Sequence, residues 1–248
     1  MNLLSHAITT TGRRSNNEDN LCDAPALGLF AVADGLGGYE GGEVASALTV
    51  ETLQRFVERN RRDPGGTWPC KEDKKKSLSE NLLRAAATEA HLAIMDKRAG
   101  RLGQMGSTIA SMLIVDQHAA IAHVGDSRVY RLRNRVIEPL TRDHSVYAEM
   151  LAAGRDLPPR HDFPFKNQIT RALGLTGNSN ADTSVTDVCM GDRYLLCTDG
   201  LYDPFEDDAL AVLLDEGDVA GCCKKLVETA FEKGSADNIT AVVIDVAA

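Results

Sequence analysis

Positive charge is in short supply in this chain of 248 residues: 27 Lys and Arg stand against 36 Asp and Glu, a formal net charge of -9. That balance argues against nucleic acid or an anionic membrane as the main partner, and it leaves room for bound cations. Long apolar runs are missing too. None is long enough to span a bilayer, and the N-terminal MNLLSHAITTTGRR has no apolar core of the signal-peptide kind. The six cysteines, Cys22, Cys70, Cys189, Cys197, Cys222 and Cys223, include no C-x-x-C pair, which excludes the usual structural zinc site. Cysteines scattered through a chain of this size fit a reducing compartment, where most serve as small buried hydrophobes. The expectation is a cytoplasmic protein. With 43% hydrophobic and 25% charged residues the composition is that of an ordinary globular protein. Its length suits one large domain over residues 1–248.

Short β-branched, apolar runs predict strands at Leu27–Asp34, Ser107–Asp116, Ala119–Asp126, Arg128–Arg133, Arg135–Leu140, Arg193–Asp199 and Asn238–Val246. The middle four have very short connectors, which predicts an antiparallel meander. Helical periodicity covers Glu43–Arg59, Leu78–Arg98, Glu206–Leu214 and Val219–Glu232. Ser77 and Glu80 form an S-x-x-E capping box before the second helix, and Gly234 stops the fourth. Strands and helices come in blocks rather than strict alternation. That is an α+β pattern, with antiparallel sheets covered by helices. Residues 61–76, RRDPGGTWPCKEDKKK, read as a solvated basic loop in preference to a docking site. Residues 154–167 carry three prolines and suit an irregular flap over a site.

The chemistry shows in repeated strand–aspartate–glycine junctions. AVADG carries Asp34 and Gly35, HVGDS carries Asp126, LLCTDG carries Asp199, and GSADN places Asp237 before the last strand. A further acidic pair, Glu18 and Asp19, lies in RSNNEDN. Any one of these aspartates alone reads as a turn residue. Together, a carboxylate set without His or Cys suits hard divalent ions such as Mg²⁺ or Mn²⁺. Gathered at one edge, the acids would repel one another unless cations lay among them. Glycine beside aspartate lets a backbone carbonyl approach an ion. Two nucleotide readings of GLGGYEGG fail: the third glycine of G-x-G-x-x-G is Glu40, and the Gly-Lys-Ser/Thr of a P-loop is absent. Arg14, four residues before Glu18, could hold phosphate oxygens bidentately. The same spacing equally suits a surface arginine paired with Arg13. Arg128 and Arg171 read as structural ion-pair partners.

Eight motifs in order, RSNNED, VADGLGGYEGGEVAS, GSTIA, HVGDSRVYRL, LTRDHS, ITRALG, LLCTDGLYD and ADNITAVVI, resemble those of the metal-dependent protein phosphatases of the 2C family in their compact bacterial form. The resemblance covers essentially the whole chain. It implies a four-layer αββα sandwich: two packed antiparallel sheets flanked by helix pairs. It further implies two or three Mn²⁺ or Mg²⁺ ions. Asp34 would bridge two of them, with the Gly35 carbonyl and Glu18 on the second and Asp199 and Asp237 on the first. Asp19 would hold metal-bound water, and Asp126, with Asp199, a third, weaker ion. Arg14 would bind the phosphate, and residues 154–167 match the variable flap. The implied activity is hydrolysis of phosphoserine and phosphothreonine in proteins by a metal-activated water, without a phosphoenzyme. No C-x5-R arrangement of the cysteine-dependent phosphatases is present, in agreement. The implied partners are phosphorylated proteins and a Ser/Thr kinase whose action the chain reverses, and a monomer is expected. A pseudophosphatase scaffold and a small-molecule phosphatase are the alternatives. Two departures stand out. Leu36 occupies the position where some relatives carry a histidine proposed as general acid, leaving His144 and His161 as weak substitutes. Gly12 lies two residues before Arg14 instead of three, which makes Arg13 an alternative to it.

Overall fold

The computed structural model describes all residues except 38–40, 64, 178 and 248, and all side chains of those described except Arg101 and Asp207. Glu40, the position that breaks the dinucleotide pattern, therefore lies outside the described residues. Two antiparallel sheets pack face to face. The first has strand order β1-β11-β10-β7-β8, from β1 (Asn2–Thr10), β7 (Arg128–Arg133), β8 (Val136–Pro139), β10 (Arg193–Cys197) and β11 (Ile239–Ala247). The second has order β2-β3-β5-β6-β9, from β2 (Asp19–Ala24), β3 (Leu29–Leu36), β5 (Ile109–Val115), β6 (His118–Val124) and β9 (Asp182–Asp187). The two-residue β4 (Gly106–Ser107) pairs with the end of β3.

The period of two along each strand builds the layers. On β3, Phe30 and Val32 face the other sheet, where they meet Tyr194, Leu196, Val242 and Ile244. Between them, Leu29, Ala31 and Ala33 face the opposite way, into a core with Leu53, Phe56, Leu83 and Ile94 of α1 (Gly41–Arg62) and α2 (Leu78–Lys97). On the other sheet, Leu195, Ala241 and Val243 pack with Leu210 and Leu226 of α5 (Asp207–Leu214) and α6 (Val219–Glu232). Central strands are thus apolar on both faces, which is why they read as unbroken runs. Each large aliphatic or aromatic side chain buried in this way contributes about 1.5–3 kcal/mol.

Local signals hold where they are strong. Ser77 Oγ accepts from the Glu80 N–H at 3.2 Å, and Glu80 Oε2 accepts from the Ser77 N–H at 2.9 Å. Asp218 caps α6 through the Gly221 N–H at 2.8 Å, and Gly234, at φ 96°, ends it in the left-handed region. Three expectations need correction. The middle four strands are not one meander: β5–β6 and β7–β8 are hairpins in different sheets, and the chain changes sheet across residues 125–127. β3 does not stop at Asp34 but runs to Leu36 and exchanges β5 for β4 as its neighbour. Asp199 does not end a strand; β10 closes at Cys197, and Asp199 opens the one-turn helix α4 (Asp199–Tyr202). Residues 154–167 carry no element longer than a single 3-10 turn, as expected, and a short helix α3 (Val146–Ala152) precedes them. In the basic 61–76 segment, Trp68 stacks edge-on against Phe56 and donates to Asn60 at 2.6 Å, so the loop is pinned by its middle.

Candidate metal centre and phosphate pocket

At one end of the sandwich a cavity of about 520 Å³ opens between the two sheets. Its walls carry Arg14, Glu18, Asp34, Gly35, Asp126, Asp199 and Asp237, brought there from five separate parts of the chain. Asp19 is not on the wall. It lies behind it, 6% exposed, and accepts from the hydroxyls of Thr198 at 2.8 Å and Thr240 at 2.6 Å. β2 and β3 place Asp19 directly opposite Asp34. Like charges facing each other across a strand pair are destabilising, so this register makes sense only around a compensating positive charge.

Backbone geometry explains the glycine beside the central acid. A Cβ on Gly35 would stand 2.1 Å from the Gly42 carbonyl oxygen and 2.6 Å from that of Glu18. Only glycine allows β3, the start of α1 and the Glu18 segment to meet here. The Gly35 N–H donates to the Glu18 carbonyl at 3.1 Å. Asp34 is held by its main chain on the other side: its N–H donates to Thr108 Oγ1 at 2.9 Å, and its carbonyl accepts from the Thr108 N–H at 2.8 Å.

The electrostatics follow from five carboxylates facing a single guanidinium. Burial, then the charges of Asp199, Asp19 and Asp126, raises the Asp34 carboxyl well above the usual range. Burial and Asp126 do the same for Asp199. Asp126 is pushed up to about 7, first by burial and next by Asp143, and burial lifts Asp19 to about 6. Glu18 is raised by burial. Among the described residues no basic side chain forms an ion pair with Asp34, Asp126 or Asp199. An all-oxygen donor set carrying buried, unpaired negative charge fits hard divalent ions. Three acid oxygens are nowhere within 4.8 Å of one another here; among the described residues only His123, His144 and Asp182 offer ligand atoms that close. The five acids share the lining of one cavity without three of them meeting at one point among the described residues.

Of the two neighbouring arginines, Arg14 is the one on the cavity wall. It pairs with Asp237 at 2.7 Å and donates to the Ala236 carbonyl at 3.1 Å. Arg13 turns to α6, donating to the Phe231 carbonyl at 3.3 Å and resting on the Phe231 ring. Arg128 and Arg171 are ion-paired with Asp143 and Asp182, at 2.7 and 2.9 Å. Leu36 lines the cavity, whereas His144 and His161 do not; His161 is exposed and faces Asp162. Asn167 and Ile169 complete the rim next to the 154–167 segment. That segment docks through Arg160, which pairs with Asp203 just after α4, and through Phe163 against Tyr147.

Sequence reasoning passed over Asn238. Its Oδ1 accepts from the Glu18 N–H at 2.9 Å, while its amide donates to the Thr11 carbonyl at 3.0 Å and the Asn16 carbonyl at 2.7 Å. One side chain thus ties the Arg14–Glu18 loop to the Asp237 turn. The signal was present: a polar amide between an aspartate and an apolar strand.

A two-sheet α+β fold with an oxygen-lined, acid-rich pocket at one end has the donor set of a centre for hard divalent cations. The sequence pattern described as Protein phosphatase 2C matches residues 11–225. The serine/threonine protein phosphatase PstP of Mycobacterium tuberculosis is 34% identical over 235 residues, 94% of this chain and 43% of PstP. The serine/threonine phosphatase stp of Listeria monocytogenes is 31% identical over 247 residues, 96% of this chain and 93% of that protein. The crystal structure of the M. tuberculosis phosphatase superposes with a TM-score of 0.88 at 31% identity, over 100% of both chains. A PstP catalytic domain in complex with two manganese ions gives 0.80 at 30%, over 99% of both. This chain belongs to the protein phosphatase 2C family. It spans less than half the length of PstP and nearly all of the Listeria protein. Among the described residues no helix is long and apolar enough to cross a membrane.

Proposed function

We propose that this chain is a Mn²⁺- or Mg²⁺-dependent phosphatase for phosphoserine and phosphothreonine in proteins, working as a cytoplasmic monomer against a Ser/Thr kinase. The observation that carries the reading is the convergence of Arg14, Glu18, Asp34, Gly35, Asp126, Asp199 and Asp237 on one cavity. Asp34, without an ion-pair partner among the described residues, suits a bridging ligand. Asp199 and Asp237 would share the first ion with it, and Glu18 with the Gly35 carbonyl the second. Asp126 reaches the same space from the sheet-crossing turn and suits a third, weaker ion. Asp19 braces the set from behind through Thr198 and Thr240. When bound, such ions supply a water activated at neutral pH and charge to offset that of the phosphate.

The protein's own part is binding and orientation. The Arg14 guanidinium, paired with Asp237 on the cavity wall, would exchange that carboxylate for two phosphate oxygens once ions take up Asp237, and so set phosphorus in line for attack. Leu36 on the wall carries no proton, so this position donates none to the leaving seryl or threonyl oxygen. Residues 154–167 form a flap over the rim, where Asn167 and Ile169 would meet the polypeptide around the phosphorylated residue.

The test is hydrolysis of a phosphopeptide that requires added Mn²⁺, stops in EDTA and resists okadaic-acid-type inhibitors. Asp34→Asn should abolish turnover while circular dichroism shows the fold unchanged. Full activity in that variant would refute the two-metal reading. Equal kcat/KM for phosphoprotein and small phosphate esters would favour a small-molecule phosphatase instead.

A further inference from the structure

His144, in LTRDHS, is 7% exposed, lines no part of the cavity and has both ring nitrogens engaged, so it is not placed to protonate a leaving group. We propose that His144 is a positioning residue: it clamps the Gly125 backbone and thereby fixes where the Asp126 carboxylate enters the cavity. The inference rests on the reading of Asp126 as a metal ligand.

The chain leaves β6 at Val124 and joins β7 of the other sheet at Arg128. At such a crossing the backbone has no ladder partners, and its buried polar groups must find others. His144 supplies both for Gly125. The Gly125 N–H donates to His144 Nδ1 at 3.1 Å, and the His144 N–H donates to the Gly125 carbonyl at 2.9 Å. Gly125 has φ 102°, and a Cβ there would stand 2.6 Å from Thr108 Cγ2, so no other residue takes this turn without strain. The next residue, Asp126, is 3% exposed, and its carbonyl accepts from the Tyr202 hydroxyl at 2.9 Å. With its main chain gripped on both sides, Asp126 has little left to vary except its side-chain torsions.

The clamp is itself held. A backbone N–H can only donate, so Nδ1 presents its lone pair and the neutral ring carries its proton on Nε2. Nε2–H then donates to Asp182 Oδ2 at 3.1 Å, and Asp182 is fixed in turn by its ion pair with Arg171 at 2.9 Å, whose guanidinium lies beside the ring without accepting from it. His123 stacks on the ring with centroids 4.6 Å apart and planes 15° off parallel, and its Nε2 bonds to the Arg142 carbonyl at 2.8 Å. The His144 carbonyl accepts from the Thr170 N–H at 2.8 Å, so the same residue ties down the chain just after the flap. His123, His144 and Asp182 are close enough to hold a metal ion. Yet Gly125 occupies Nδ1, Arg142 occupies His123 Nε2, and the Arg171 guanidinium already supplies the positive charge. The group works as a brace.

The test contrasts two amides with Asp126→Asn as reference. In His144→Asn, Oδ1 stands where Nδ1 stood and still accepts from the Gly125 N–H. In His144→Gln, the amide reaches toward the Nε2 position and leaves that N–H unpaired. Mn²⁺ binding is read directly, from the free-ion EPR signal and by calorimetry, alongside kcat, KM and thermal unfolding in EDTA. Loss of an outer hydrogen bond to a ligand costs about 10–100-fold in metal affinity. Asp126→Asn should weaken the weakest Mn²⁺ site. His144→Gln should weaken the same site about 10-fold, with the loss in kcat at limiting Mn²⁺ and not in KM for the phosphopeptide, while His144→Asn should stay close to the parent. Wild-type binding in His144→Gln beside weakened binding in Asp126→Asn would overturn the positioning role and leave the metal reading intact. Equal losses in Asn and Gln would also overturn it, since the acceptor would then be irrelevant. Unchanged binding in Asp126→Asn would instead sink the metal role of Asp126, and the inference with it. Should His144→Gln fail to fold, His144→Ala against His144→Asn carries the same contrast.

Discussion

Removing divalent ions should make the stability of this protein depend on pH in a direction fixed by its acids. Asp126 is pushed from the usual 3.8 up to about 7, chiefly by burial. A carboxylate with a raised folded-state pKa contributes stability that is fully present below its unfolded value and lost as pH rises through the folded one. Three pKa units set a scale on the order of 4 kcal/mol for Asp126. About 2 kcal/mol of that falls between pH 5.5 and 8. Asp34 and Asp199 move in the same direction. Because these acids repel one another, a proton on one relieves the rest, and the separate contributions do not add. His144 works the opposite way: held down to about 4 by burial and then by His123 and Arg171, it costs stability as pH falls below 6.5. The histidine term is common to the metal-free and metal-loaded protein, so the difference between them isolates the carboxylates. For a chain of this length 1 kcal/mol corresponds to roughly 2–4 °C in melting temperature. The rise in melting temperature on adding Mn²⁺ should therefore be about 4–8 °C larger at pH 8 than at pH 5.5. Calorimetry in EDTA and in excess Mn²⁺ across that range checks it. An increment independent of pH would mean that the ions do not bind to these raised carboxylates.

Two further outcomes follow. Arg14→Ala should lower kcat/KM for a phosphopeptide by about 10–100-fold, the loss of a charge-assisted phosphate contact, while Arg13→Ala, which removes a contact to α6, should leave kcat/KM within about twofold; steady-state kinetics of the pair decides between the arginines, and a larger loss from Arg13→Ala would reverse the assignment. Phe30→Ala, at the centre of the sheet-to-sheet core, should cost about 3–5 kcal/mol in denaturant unfolding with the site residues still in place; a cost below about 1 kcal/mol would show that the two sheets can close over the gap.

What was legible in the sequence sorts largely by burial, the exposed edge strand β8 being read only because its connector to β7 is so short. β3, β5, β6, β10 and β11 lie inside their sheets, apolar on both faces, and stood out as unbroken runs. The strands that went unread, β1, β2 and β9, are all sheet edges. β9, DTSVTD, is polar through most of its length, and β2 begins and nearly ends in aspartate, so neither alternates strongly enough to be told from a loop. Sheet membership was illegible for another reason: a three-residue connector from β6 to β7 looks the same whether it turns a hairpin or passes between sheets. The acids stood out by their joint occurrence beside glycine, and Asp34 by breaking a local rule as well. Aspartate is a poor strand residue, yet Asp34 lies within β3 opposite Asp19, so a cost in local preference marks a place where something else compensates. Asn238, Thr108 and His144 break no such rule. They act on backbone N–H and carbonyl groups of residues 18, 34 and 125, and those groups lack partners only because the fold has already brought the acids to one cavity. The carboxylates can therefore be named from local sequence, whereas the side chains that hold them in place become visible only when the unpaired backbone around each carboxylate is followed to its partner.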